Sequence, residues 1–138
     1  MTMNIKRRAT ELAANADGAT AVEFSLIAGA FLTMLLGIAY VAIMLFNNVS
    51  LDWAVKQAVR LAEINTAATQ DEIAASVNNY LTSEGLGPAT VTYSVATDNG
   101  QTTASIAANY SQDYTIPFIP AFHITYSSSA QVPQPTPP

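Results

Sequence analysis

The sequence predicts an α+β fold. A long N-terminal helix, apolar first and amphipathic later, leads into a small head of one helix and about three antiparallel strands. Three observations predict this. Residues 24–51 contain no Asp, Glu, Lys, Arg or His. Leu51, Val55, Ala58, Val59 and Ala62 then recur at helical spacings of three and four. From Val91 onward the hydrophobic period falls to two.

The chain has 138 residues, half of them hydrophobic and only 11% charged. A soluble domain carries about 25% charged residues. The uncharged run accounts for most of the shortfall. A formal net charge of −5 argues against a nucleic-acid partner held through its phosphates. There is no cysteine, which excludes a disulfide framework, a thiol nucleophile and thiolate metal sites.

Phe24 to Phe46 is about 34 Å long as a helix, enough to cross a hydrocarbon core of about 30 Å with modest tilt. Lys6, Arg7 and Arg8 precede it, and the next basic residue is Lys56. The positive-inside rule therefore predicts a single pass with a cytoplasmic N-terminus and the head outside the cytoplasm. Trp53 falls about two turns beyond the span, where an interfacial aromatic can sit. A secretory signal has a shorter apolar core of about 7–15 residues and a small-residue cleavage site. Asn47-Asn48-Val49-Ser50 is not such a site.

Two features near the start of the span point beyond simple anchoring. Glu23 is a lone carboxylate beside an apolar helix, a costly position that asks for a partner. Ser25, Gly29, Thr33 and Gly37 form a stripe of small residues at four-residue spacing, which lets another helix backbone approach closely. The plainer alternatives are a charge welcome at a helix N-terminus and the general frequency of glycine in membrane helices.

The amphipathic continuation carries Asp52, Lys56, Arg60 and Glu63 on its polar side, and the long helix is expected to run from about Ala19 to about Ile64. Thr69 is a natural N-cap, with Asp71 and Glu72 in the first turn. Ile73, Val77, Tyr80 and Leu81 give the second helix an apolar face, and Gly85 ends it, so it should span about Gln70 to Glu84. Val91, Tyr93 and Val95 alternate with Thr92, Ser94 and Ala96 in the first strand. Asp98-Asn99-Gly100 is a hairpin turn signal. The returning strand covers Thr102 to Tyr110, with Ile106, Ala108 and Tyr110 on one face. Phe122, Ile124 and Tyr126 mark a third strand. The predicted organisation is a basic leader over residues 1–18, the helix over 19–66, the head over 67–131 and a proline-rich extended tail over 132–138.

Gly18-Ala19-Thr20-Ala21-Val22-Glu23-Phe24-Ser25-Leu26-Ile27, and more weakly Ala54 to Ala62, resemble the TadE-like pseudopilins, minor pilins of the tight-adherence (Flp) type IV pilus system. The resemblance covers residues 18–62. It implies a pilin-like layout, with the leader in the cytoplasm and the head in the periplasm of an inner-membrane precursor. It also implies processing between Gly18 and Ala19 by a prepilin peptidase, of which the chain is substrate rather than enzyme. Glu23, beside Phe24, would then be the fifth mature residue, setting register by pairing with the freed amine of its own or a neighbouring subunit. The implied partners are the peptidase, the membrane, and other pilins and the assembly platform reached through the N-terminal helix. Incorporation into the extracellular fibre is left open.

No enzyme, cofactor or metal site is expected. His123 is the only histidine and lacks companions for a metal. A Ser127–His123–Asp113 relay is formally conceivable without any supporting motif. The competing reading is an uncleaved, signal-anchored periplasmic binding module. Its surface would draw on Tyr80, Tyr93, Tyr110, Tyr114 and Tyr126, residues that could equally be half-buried structural groups.

Overall fold

The computed structural model describes residues 16–116 and 119–134. The order of elements is α1 (Ala16–Ile64), α2 (Gln70–Ser83), β1 (Thr90–Asp98), β2 (Gln101–Tyr114) and β3 (Phe122–Gln134). The three strands form one antiparallel sheet in the order β1-β2-β3. This is the α+β, pilin-like layout expected. The basic cluster of the leader lies outside the described residues. The chain divides into two compact units, Met1–Ala42 and Ile43–Pro138, with the boundary inside α1.

The first unit is the apolar part of α1. Helix α1 is long and apolar enough to cross a membrane. Its large side chains, among them Phe24, Leu26, Ile27, Phe31 and Met34, are exposed. A helix apolar all round finds its favourable surroundings in lipid or among other apolar helices.

The second unit is the head. Its core is made by Leu51, Ala54, Val55, Ala58 and Ala62 of α1, Ile73, Val77 and Leu81 of α2, and the inward residues of the sheet, above all Ala104, Ile106, Ala108 and Tyr110. Alanines on α1 allow its backbone to approach its neighbours, while Leu51 and Val55 supply apolar area. Val59, expected on the same face, is only half-buried.

Helix α2 starts at a capping box. The Thr69 hydroxyl accepts from the Glu72 N–H and the Glu72 carboxylate accepts from the Thr69 N–H at 2.9 Å. It ends in a Schellman arrangement: Leu86 N–H donates to the Leu81 carbonyl and Gly85 N–H to that of Thr82. Gly85 is at φ 77°, where any side chain would be strained. The amide of Gln70 extends the sheet at β1. It donates to the Val91 carbonyl and accepts from the Tyr93 N–H, each at 2.7 Å. Asn78 accepts from the Ala89 N–H at 2.8 Å, fixing the approach to β1.

The β1–β2 hairpin closes on Asn99 (φ 51°) and Gly100 (φ 81°), between the paired residues Asp98 and Gln101. Two central residues at positive φ match the twist of the flanking strands. Two strands outrun their expected limits. β2 continues to Tyr114, which is buried, and β3 continues to Gln134, with Val132 and Gln134 buried. The proline-rich segment thus begins as strand, not tail. β3 is an edge strand, and an edge tolerates Pro133, which has no N–H to give. Val95, expected to share the inner face with Val91 and Tyr93, is half-exposed because the hairpin tip runs past the core.

Candidate functional site

Gly18 and Ala19 lie in the first turns of α1. Glycine destabilises a helix by about 1 kcal/mol relative to alanine. Nothing lies within 4 Å of where a Gly18 side chain would begin.

Ala19 and Glu23 are four residues apart in one helix, so their groups share a face one turn apart. Glu23 is exposed, and Phe24 is 70% exposed. The Glu23 carboxylate is an exposed charge on the helix face that carries Ala19.

The stripe beyond it is laid along α1 as the spacing predicts. Ser25 Oγ donates to the Val22 carbonyl and Thr33 Oγ1 to the Gly29 carbonyl, both at 2.8 Å. These hydroxyls are satisfied by their own helix, which lets them face an apolar medium. A side chain added at Gly29 or Gly37 would enter open space. All four stripe residues are exposed within this chain.

A second constellation, of which the sequence shows only the i, i+4 pair Asp52–Lys56, lies between the head's part of α1 and the sheet. Asn47 is buried and donates through Nδ2 to the Tyr114 hydroxyl at 2.7 Å, and the Tyr114 and Tyr126 hydroxyls are 2.7 Å apart. Ser128 donates to Asp52 at 3.0 Å, and Lys56 pairs with the same carboxylate at 2.6 Å. Gln134 donates to the Ala62 carbonyl at 3.3 Å. Among the described residues no buried side-chain nitrogen or oxygen lacks a partner. Burial, then the bond to Tyr114, pushes the Tyr126 phenol well above the ordinary tyrosine range. The bonds from Lys56 and Ser128 hold Asp52 below the ordinary carboxylate range. The signal was present: Asn47 and Ser50 continue the three- and four-residue spacing of the buried face.

Tyr110, Tyr114 and Tyr126 are buried and Tyr80 and Tyr93 half-buried, so three of the five tyrosines offer little surface. His123 and Asp113 face one another across β3 and β2, with Nδ1 and Oδ1 2.7 Å apart on the exposed side. Ser127 is four residues along β3 from His123, roughly 13 Å at the rise of a strand. The structure joins the histidine to the aspartate but does not bring this serine to them.

Residues 18–60 match the family model of TadE-like proteins. The matched segment begins at the Gly18–Ala19 step, takes in Glu23 and the small-residue stripe, and ends in the amphipathic part of α1. No curated protein and no solved structure matches the chain.

Proposed function

On the premise that residues 18–60 are TadE-like, we propose that this chain is a pseudopilin, or minor pilin, of the Tad (Flp) pilus system. The observation that carries the reading is the placement of Glu23 one helical turn beyond Ala19 on an exposed apolar helix. A prepilin peptidase would cut between Gly18 and Ala19. The new amine and the Glu23 carboxylate, each costly near hydrocarbon, would then partner one another within a subunit or between subunits. That pairing sets axial register, while Ser25, Gly29, Thr33 and Gly37 admit a neighbouring helix. The chain's role is structural: it primes, joins or supports assembly of the pilus, from an inner-membrane precursor whose head is periplasmic.

The test is the intact mass and N-terminal residue of the membrane-extracted protein, from cells with and without the peptidase. A chain starting at Ala19 only when the peptidase is present is the expected result. An N-terminus ahead of Gly18 in both strains would overturn the reading in favour of an uncleaved, signal-anchored module.

A further inference from the structure

The hairpin fixes which backbone groups of the sheet face which way. Asp98 and Gln101 flank a two-residue turn and are register partners, so they close the β1–β2 ladder as a hydrogen-bonded pair. From there every second pair of β1 and β2 is bonded. The even-numbered residues of β2, from Thr102 to Tyr114, are left to bond the even-numbered residues of β3. The odd-numbered residues of β3 therefore turn both N–H and C=O to its open side. Two further observations agree. On the opposite edge the same alternation turns outward the Val91 C=O and the Tyr93 N–H, the two groups that Gln70 takes. On β3 itself Pro133 is odd-numbered, so its missing N–H costs the ladder with β2 nothing.

His123, Thr125, Ser127, Ser129 and Gln131 thus present N–H and C=O groups along nine residues, roughly 30 Å. All five residues are exposed. Among the described residues none of these backbone groups makes a hydrogen bond. Such an edge is ordinarily guarded by charges, a bulge or a covering element. β3 contains no Asp, Glu, Lys or Arg, and its register with β2 runs unbroken from Phe122 to Gln134. Pro133 closes the free ladder at one end only.

Beneath the same edge the core is incompletely covered. Ile106 of β2 is buried, whereas Ala130, its partner on β3, is only half-buried, as is Ile124 on the same inner face. Asp52 marks the side of α1 that meets β3, through its bond from Ser128. Val59 lies two turns beyond Asp52 on that side and is half-buried too. Ile124, Ala130 and Val59 make an apolar shoulder alongside the free ladder.

We propose that the open side of β3 is a docking site for an extended segment of another protein, uncharged over about nine residues and apolar at every second position. Its main chain completes the ladder from His123 to Gln131. Its inward side chains cover the shoulder, and its outward ones, small and polar, join the hydroxyl row of Thr125, Ser127 and Ser129. A second copy does not meet this description. Its β3 already rests its inward side on its own α1, so it has no side chains to lay over Val59 of a neighbour.

The probe is a fluorescent nine-residue peptide of alternating valine and threonine, with lysines beyond each end for solubility, titrated against the full chain in detergent. Saturable binding is expected; none would overturn the proposal. Ser127→Pro removes one outward N–H and leaves the β2 ladder intact, as Pro133 does. It should weaken binding roughly tenfold while the head still unfolds cooperatively. A second measurement leaves the protein untouched. The peptide is N-methylated either at its valines or at its threonines, which blocks one of its two edges at a time. One form should lose binding and the other keep it, because only one edge can face β3. Equal binding by both forms would show that the peptide does not pair with the edge, and overturns the proposal. A parent chain that is dimeric in detergent, made monomeric by Ser127→Pro and not dissociated by the peptide, assigns the edge to a second copy and overturns it as well. Cleavage at Gly18 is read separately by N-terminal mass, so failure here leaves the pilus reading standing.

Discussion

The two parts of α1 make opposite use of the same helical backbone. Up to Ala42 the apolar side chains are exposed and the hydroxyls bond back to their own helix. From Asn47 onward one face is buried, and Asn47 on it, like the half-exposed Asp52 beside it, is bonded to the sheet. The difference teaches where stability resides. The head is complete on its own terms, with core and polar groups matched internally. The first part has no such closure and draws its stability from whatever medium surrounds it. A substitution in either part should therefore be felt in a different measurement.

The largest expected effect is in the head. Leu51→Ala removes a fully buried side chain and should lower head stability by about 2–5 kcal/mol, read by denaturant unfolding of the detergent-solubilised protein. Loss of less than about 1 kcal/mol would mean that α1 is not integral to the head core. Next comes Tyr114→Phe, which strips the hydroxyl shared by Asn47 and Tyr126. A cost of about 1–3 kcal/mol is expected, because two buried polar groups lose a partner.

The alkaline limb sharpens the same point. The Tyr126 phenol titrates higher in the folded head than in the unfolded chain, whose reference value is 10.0. Its contribution is whole below about pH 10 and is lost as pH rises through the raised folded value. Tyr126→Phe should flatten the loss of stability above about pH 10; an unchanged alkaline limb would contradict the assignment. The smallest effect on the head is expected from Gly29→Leu. Head stability should stay within about 0.5 kcal/mol of the parent, while crosslinking to partner helices in the membrane falls. Unaltered crosslinking would show that the stripe is not a packing face.

Much of this contrast was legible before the structure. The long uncharged run, the Thr69 cap with Glu72 three residues on, the glycine stop at Gly85 and the Asn99-Gly100 turn each act through local chemistry, and each fell where the residues indicated. What sequence reading missed depends on partners distant in the chain. β2 outran its apolar stripe because Gln112 and Tyr114 are held by pairing with Ile124 and Phe122, not by their own periodicity. β3 passed through Pro133 because pairing with β2 outweighed a local signal for a tail. Asn47 was noted only within a segment unsuited to signal cleavage, and only the fold reveals Tyr114 as its partner. Gly18 and Ala19 were singled out through the family resemblance and Glu23 as a lone carboxylate beside an apolar run, and the structure adds that one helical turn joins Ala19 to Glu23.

The Gln70 amide on β1 has a further consequence. It fills hydrogen-bonding positions, at Val91 and Tyr93, that an incoming strand would need. Side-by-side growth of the sheet is thereby blocked at the base of β1, and the head is polarised. A donated strand from another protein would have to zip along β3, and so could enlarge this sheet in one direction only.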